Sequence, residues 1–295
     1  MRSAVALLKT LRPHQWVKNL FVAAALVFSR HLTDAALLSR TGLAVLAFCL
    51  LSGAVYCFND VRDVEGDRAH PTKKNRPIAS GALSERAAMI ASGVLALVGL
   101  GIAFWLSPKT ALYAGLYLLQ NIAYSIRLKH IAFVDVAIIA TGFLLRVLAG
   151  AAAIDVPASK WLLLCTALLA TFLGLGKRAH ELAWAERTGT TVETRAALAG
   201  YNIPVVRIAM FVLGGATTAA YLAYTLWPHT IAFFGTANLP YSSPFVALGI
   251  FRFMQLALYF PKDDPPTEAM LKDPWFLLDL VAASATVLFI IYGSR

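Results

Sequence analysis

The chain has 295 residues, of which 59% are hydrophobic and only 14% are charged, whereas charged residues make up about a quarter of an ordinary soluble domain. Its formal net charge of +10 would suit a nucleic-acid-binding protein, but the sequence contains no recognisable nucleic-acid-binding module. Apolar runs of about 20 residues, long enough to cross a bilayer, recur along the chain. The composition therefore excludes an ordinary soluble domain and predicts an all-α polytopic membrane protein.

The hydropathy pattern predicts nine membrane-spanning helices. Their approximate bounds, in chain order, are about 15–30, 41–58, 87–106, 110–125, 131–153, 161–176, 204–227, 241–260 and 275–293. No hydrophilic segment between them is long enough to form a soluble domain. We therefore expect one transmembrane domain that covers residues 1–295.

The distribution of lysine and arginine predicts the orientation of these helices. Of the 26 basic side chains, 19 fall in the N-terminus or in the loops after even-numbered spans, and 5 fall on the other side. Because cytoplasmic loops carry an excess of lysine and arginine, we expect the N-terminus in the cytoplasm and the C-terminus outside. Much of the net charge is then explained by membrane topology.

An acidic motif follows the second predicted span. Asn59, Asp60, Asp63 and Asp67 fall within an arc of about 100° if the segment is helical. Such hard oxygen ligands suit Mg²⁺, which completes its coordination shell with water and phosphate oxygens. The motif therefore predicts a magnesium site, and the alternative is a solvated loop with ordinary salt bridges.

A basic loop follows the acidic motif in the sequence HPTKKNRPIASG. Pro71 and Pro77 are expected to end the helix, which leaves Lys73 and Arg76 beside the acids. Acids that hold a metal next to bases that bind phosphate predict a site for a diphosphate group.

Two further polar clusters follow the fourth and sixth predicted spans. They consist of Tyr124, Arg127, Lys129 and Asp135, and of Lys177, Arg178 and Glu181. Lys177 and Glu181 lie four residues apart and could form a helical ion pair. Each cluster alone could be a positively charged flank of a span, but three clusters on one side of the membrane predict a shared pocket.

Some polar residues lie at or inside the predicted spans. Arg146 is on the same helical face as Asp135 and about 16 Å deeper, where a charge is costly and normally faces a cavity. Lys18 and Asn19 open the first span, and an amide at that position should face the interior of the bundle. The role of Arg252, within the eighth span, stays open.

The N-D-x-x-D-x-x-x-D motif that begins at Asn59, the nine spans and the later polar clusters resemble the UbiA-type superfamily of intramembrane prenyltransferases. The resemblance implies a nine-helix bundle with a cytoplasm-facing active-site cavity, where two aspartate motifs hold Mg²⁺ and a substrate diphosphate. Here the second motif departs from the pattern, because YSIRLKHIAFVDVA contains Asp135 as its one acid. Together with RPHQWVKN, HPTKKNRPIASG and GKRAHEL, this resembles the branch of decaprenyl-phosphate phosphoribosyltransferases of bacterial plasma membranes.

The resemblance implies a Mg²⁺-dependent transfer of 5-phosphoribose from phosphoribosyl pyrophosphate to a polyprenyl phosphate in the synthesis of cell-wall arabinan precursors. The metal ligands it implies are Asn59, Asp60, Asp63 and Asp67. The catalytic residues we expect are Asp60, Asp63, Tyr124 and Lys129. The substrate-binding residues we expect are Lys18, Asn19, Lys73, Arg76, Asp135, Arg146, Lys177, Arg178 and Glu181. These substrates carry more anionic groups than a prenyl diphosphate, which is consistent with bases in place of a second acidic motif.

Two other functions stay open. A UbiA-type enzyme could move a polyprenyl group from its diphosphate to an aromatic acceptor, although the missing second acidic motif counts against it. A transporter for a phosphorylated metabolite would show pseudo-symmetric halves, and none is recognisable. The sequence also leaves open the length of the lipid, the stereochemistry of the product and the oligomeric state, including a homotrimer.

Overall fold

The computed structural model describes residues 2–70, 72–188, 196–259 and 265–293, and within these ranges it contains helices and no strand. The α-helices are α1 (Arg2–Leu11), α2 (Ala24–Phe28), α3 (Ala35–Arg62), α4 (Val64–Ala69), α5 (Glu85–Leu106), α6 (Pro108–Ile126), α7 (Val134–Ala153), α8 (Lys160–Thr188), α9 (Ile203–Leu226), α10 (Pro228–Phe234), α11 (Ser243–Leu258), α12 (Pro266–Ala269) and α13 (Pro274–Tyr292). Short 3₁₀ helices connect several of them, and the longest is Pro13–Ala23.

Six helices in the described part of the chain are long and apolar enough to cross a membrane. They are α3, α5, α7, α8, α9 and α13. The predicted all-helical class is confirmed, while the number of nine spans stays a prediction. Two of the other predicted spans correspond to α6 and α11, which have 19 and 16 residues.

The first predicted span differs most from expectation. Instead of one α-helix over about 15–30, the chain forms the 3₁₀ helix Pro13–Ala23 and then the five-residue helix α2. This segment packs closely on α7, since a Cβ atom built on Gly150 of α7 would lie 1.8 Å from the carbonyl oxygen of Val22. A side chain at position 150 would push this segment away from α7.

The sixth predicted span is longer than expected. Helix α8 continues to Thr188, so the cluster predicted to follow the span, Lys177 to Glu181, lies within the helix. The segment KRAHELAWAER contains neither glycine nor proline and is rich in good helix formers, which explains why the helix does not end at the membrane boundary.

The chain forms two compact units. The first consists of Met1–Lys129 and Gly142–Ala158, and its core includes Phe48, Leu51 and Tyr117. Here Arg40 of α3 donates hydrogen bonds of 2.7 Å to the carbonyl oxygens of Leu106 and Ala153. One guanidinium thereby binds the C-terminal ends of α5 and α7.

The second unit consists of His130–Thr141 and Ser159–Arg295. Its core includes Phe172, Met210 and Phe253, and the Phe253 ring packs against Gly176, where a Cβ atom would come within 2.4 Å of it. Helix α7 contributes residues to both units. The assignment of residues 1–295 to a single domain stays a prediction.

The contact between Gly150 and Val22 generates a test of the fold. We expect Gly150→Ala to lower the free energy of unfolding by about 1–3 kcal/mol, the usual cost of overpacking, because its close neighbour is backbone and cannot rotate away. The measurement is thermal unfolding in detergent at one fixed scan rate. Gly115→Ala in α6 is the matched control, since nothing lies within 4 Å of its added Cβ atom. Equal melting temperatures for the two variants would contradict the close contact.

Candidate active site

The acidic motif lies at the junction of α3 and α4. Helix α3 ends at Arg62 and α4 begins at Val64, but backbone hydrogen bonds continue across the junction. The amide of Asp63 donates to the carbonyl of Asn59 at 3.0 Å, and the amide of Asp67 donates to the carbonyl of Asp63 at 2.8 Å. The motif is therefore held on consecutive helical turns. Helix α4 ends at Ala69, while Pro71 lies outside the described residues.

Asp60 is the most buried acid of the motif, with 2% of its surface exposed. Its Oδ1 accepts hydrogen bonds from Arg12 Nη2 at 2.5 Å and from Arg76 Nη1 at 3.2 Å. Arg76 Nη1 also donates to Oδ2 of Asp67, which is buried, at 2.6 Å. Arg12 from a distant segment and Arg76 from the following loop thus neutralise two buried carboxylates.

Asp63 is one-third exposed and forms an ion pair with Lys129. Lys129 follows α6, in the short 3₁₀ helix Leu128–His130, and it is largely buried. The pair therefore brings a base of the second predicted cluster into contact with the acidic motif. Tyr124, two residues before the end of α6, is half-buried.

The basic loop is organised by His70. Its Nδ1 accepts hydrogen bonds from the backbone amides of Thr72 at 3.3 Å and Lys73 at 3.4 Å. Burial lowers the pKa of His70, and the charge of Lys73 acts in the same direction. The neutral ring is therefore favoured, which keeps Nδ1 available as an acceptor.

The magnesium ion predicted from the sequence fits the donor atoms of this junction with few protein ligands. Across the described residues, no group of three or more His, Cys, Asp or Glu side chains is arranged to hold a metal ion. However, Mg²⁺ often binds through one or two carboxylates plus substrate phosphates and water. Oδ1 of Asn59 is buried and accepts no hydrogen bond from any described residue. An unsatisfied amide oxygen next to Asp60 is consistent with a hard cation.

Arg146 lies in a network of neutral groups in the first unit. It is 7% exposed, and it donates to Asn19 Oδ1 at 2.9 Å, to the Tyr117 hydroxyl at 3.0 Å and to the carbonyl of Gly142 at 3.0 Å. Asn19 is buried and in turn donates to Ser52 Oγ at 3.2 Å. These bonds connect the 3₁₀ helix Pro13–Ala23 with α3, α6 and α7.

The second unit contains its own buried polar cluster around Asp135, which is fully buried. Its Oδ1 accepts hydrogen bonds from the Tyr201 hydroxyl at 2.5 Å and from the Val136 amide at 2.9 Å. Its Oδ2 lies 2.8 Å from Arg178 Nε. Arg178 is also buried and forms an ion pair with Glu181. Glu181 thus has an ion-pair partner three residues away, and its predicted pairing with Lys177 stays a prediction.

Tyr201 was missed by the sequence analysis. Its hydroxyl also accepts a 2.7 Å hydrogen bond from the amide of Phe133, a residue with a positive φ of 64°. Burial raises the pKa of Tyr201, and its hydrogen bond to Asp135 acts in the same direction. No local pattern indicates this role, because Tyr201 is 66 residues from Asp135 in the sequence.

Arg12 was also missed, although it belongs to the RPHQWVKN segment from which Lys18 and Asn19 were selected. Lys18 donates a hydrogen bond to the side chain of Gln15 at 2.5 Å, and its role in substrate binding stays a prediction. The position of Arg12 before a proline was the available signal, because such a residue is disfavoured in the α region.

Arg252, whose role the sequence left open, has a structural partner. It donates hydrogen bonds to both carboxylate oxygens of Asp273, the N-cap of α13.

Comparisons with known proteins agree with this architecture. The sequence model of the UbiA prenyltransferase family matches residues 19–277. A decaprenyl-phosphate phosphoribosyltransferase of Mycolicibacterium smegmatis is 42% identical over 227 residues, which cover 75% of this chain and 69% of that protein. The corresponding protein of Mycobacterium tuberculosis (strain H37Rv) is 41% identical over 74% of this chain and 72% of its own length.

Among solved structures, a UbiA homolog from Archaeoglobus fulgidus bound to DMAPP and Mg²⁺ superposes with a TM-score of 0.73. The match covers 97% of this chain and 98% of that chain at 17% identity, so it shows the shared fold alone. The described part of the chain contains six helices that are long and apolar enough to cross a membrane, and the family model matches residues 19–277. The chain is therefore a multi-pass membrane protein that belongs to the UbiA prenyltransferase family.

Proposed function

We propose that this protein transfers a 5-phosphoribosyl group from phosphoribosyl pyrophosphate to a polyprenyl phosphate and releases pyrophosphate. The observation that carries the proposal is its 41–42% identity, over about three-quarters of the chain, to proteins named decaprenyl-phosphate phosphoribosyltransferase. We further propose that it acts in a bacterial plasma membrane, with its N-terminus and active site in the cytoplasm and its C-terminus outside.

The charges around the acidic motif support a substrate with several phosphate groups. Three bases, Arg12, Arg76 and Lys129, contact the three aspartates of the motif. A prenyl diphosphate presents one charged group, whereas phosphoribosyl pyrophosphate adds a 5-phosphate and the lipid acceptor adds another. Bases that form charge-assisted hydrogen bonds to phosphate are therefore more useful here than a second set of acids.

The reaction follows from the chemistry of these groups. The bond between ribose C1 and the pyrophosphate oxygen breaks, and its electron pair leaves with pyrophosphate. An oxygen of the lipid phosphate forms the new bond to C1 from the opposite face and, being anionic already, needs no general base. Arg76 and Lys129 stabilise the charge that develops on the leaving group. Asn59, Asp60, Asp63 and Asp67 would hold Mg²⁺, which supplies further neutralisation of that charge.

The other predicted site residues fall into two groups, those that contact the substrates and those that position or support other residues. We propose that Lys18, Lys73 and Tyr124 contact substrate phosphates or the ribose, while Lys177 and Arg178 of the second unit stay predicted phosphate-binding residues. Asp135 and Glu181 orient Arg178 through ion pairs, so we assign them a positioning role. The neutral partners of Arg146 and Asn19 favour a role in supporting the 3₁₀ helix that follows Arg12.

The proposed transfer is tested with purified protein in detergent, labelled phosphoribosyl pyrophosphate and polyprenyl phosphate. We expect a Mg²⁺-dependent lipid-soluble product, and a loss on the order of 10²-fold in kcat for Asp60→Asn and Asp63→Asn, because charge stabilisation is lost. Asp34→Asn is the matched control, since this exposed N-cap of α3 loses the same charge and asparagine caps equally well.

Two outcomes would contradict the proposal. Full activity of both variants would show that the reaction does not require these carboxylates. Full activity in excess chelator would show that it does not require a metal ion. Transfer from a prenyl diphosphate to an aromatic acid, with none from phosphoribosyl pyrophosphate, would establish the aromatic prenyltransferase instead.

The positioning role of Asp135 gives a separate prediction. Tyr201→Phe leaves the amide of Phe133 without its acceptor, so we expect a loss of about 1–3 kcal/mol in the free energy of unfolding. Because Asp135 then loses the hydrogen bond that fixes its orientation, Arg178 is positioned less precisely, and we expect KM for phosphoribosyl pyrophosphate to rise more than kcat falls. The control is Tyr241→Phe, at a residue that is 72% exposed. Unchanged stability and KM in Tyr201→Phe would refute this role.

A further inference from the structure

Arg12 contributes the closest contact to the most buried carboxylate of the acidic motif, and it is not part of that motif. We propose that Arg12 is a counter-ion that a divalent cation displaces from Asp60, and that the released guanidinium then binds the diphosphate of the substrate. This inference deepens the proposed function and rests on it only for the identity of that diphosphate.

A cation that coordinates Oδ1 of Asp60 must displace a donor, because this atom already accepts two hydrogen bonds. Oδ1 of Asp60 accepts from Arg12 Nη2 at 2.5 Å and from Arg76 Nη1 at 3.2 Å. A carboxylate oxygen has two lone pairs, so two guanidinium donors saturate it. A cation that binds to Oδ1 must therefore replace at least one of the two arginines.

Arg12 is the arginine that can leave. Arg76 has a second carboxylate partner, because its Nη1 also contacts Asp67 at 2.6 Å. Asp60 is the one acid that pairs with Arg12 among the described residues. The guanidinium of Arg12 also lies 4.9 Å from the centre of the Tyr56 ring, and an aromatic face stabilises a cation. That ring supports Arg12 once the ion pair has opened.

The backbone of Arg12 keeps the released side chain close to the acids. Its φ and ψ of 50° and 63° are left-handed, a conformation that costs roughly 1–2 kcal/mol for a residue other than glycine. Pro13 follows and disfavours the right-handed α region for Arg12. The turn between α1 and the 3₁₀ helix therefore directs this side chain toward Asp60, and strain of this kind is typical of functional sites.

The charge balance at the acidic motif couples the binding of the divalent cation to the binding of the diphosphate. With Arg12, Arg76 and Lys129 paired to the three aspartates, the junction is close to neutral. Binding of a divalent cation at Asp60 frees a positive charge next to the metal, in the place where a diphosphate would bind. Each ligand then increases the affinity of the other, and linkage requires this coupling to be reciprocal.

The test uses Arg12→Gln, which keeps a polar side chain of similar reach and removes the charge. Mn²⁺ serves as the metal probe, measured by electron paramagnetic resonance in detergent without substrate, and pyrophosphate serves as the anion, measured by calorimetry at saturating Mg²⁺. We expect Mn²⁺ to bind about ten-fold more tightly and pyrophosphate about ten-fold more weakly, within the usual range of coupling between two ligands. Shifts of opposite sign are the signature, since general damage to the site would weaken both.

Arg62→Gln is the matched control, because Arg62 is an exposed base at the end of α3, next to Asp63. If Arg62→Gln produces the same pair of shifts, the effect is general electrostatics and the proposal fails. It also fails if Arg12→Gln weakens Mn²⁺ binding or leaves both affinities unchanged. Should Arg12→Gln not fold, Arg12→Lys, which retains one donor group, is expected to give the same signs with smaller shifts, and their absence would overturn the proposal.

These measurements are independent of the transfer assay. Opposite shifts without phosphoribosyl transfer would support the exchange at Asp60 and reject the substrate. Transfer without the shifts would support the function and reject the role of Arg12.

Discussion

The burial of the Asp60 carboxylate near the end of a membrane-spanning helix is the constraint on which the candidate site depends. An unpaired charge that is 2% exposed would be strongly destabilising, and its burial is tolerated only with partners in good geometry. Those partners come from the turn that carries Arg12 and from the loop that carries Arg76. These ion pairs fix the turn and the loop against α3. They also place two bases that can bind phosphate next to the acidic motif.

The second unit satisfies a similar constraint with different groups. Asp135 is fully buried, and its charge is balanced by Arg178 and stabilised by the Tyr201 hydroxyl. Arg146 is the converse case, a buried cation whose hydrogen bonds go to neutral acceptors and whose guanidinium lies 4.6 Å from the centre of the Tyr117 ring. The hydrogen bonds that Asp135 Oδ1 and Arg146 form give rigidity to the segments that carry these side chains.

The fold and the substrate are separate questions in this family. The same helical architecture is present in a homolog of 17% identity that binds a prenyl diphosphate and Mg²⁺, so architecture alone does not select the substrate. Selection must come from side chains at the site. In this chain the acidic motif contacts Arg12, Arg76 and Lys129, and the proposed phosphorylated substrates would meet these bases.

The sequence by itself determined the helical membrane class and the acidic motif, because apolar run length and helical spacing are local properties. It also placed Asp60, Asp63, Asp67, Arg76 and Lys129 in clusters, although not in contact. Only the tertiary structure decided that Arg12, 48 residues from Asp60, pairs with that acid, and that Tyr201 completes the Asp135 cluster. It also decided that the first apolar run forms a 3₁₀ helix and that Val22 in this helix lies against Gly150, a packing contact between distant segments. Such contacts depend on how helices pack, and no periodicity within one helix contains that information.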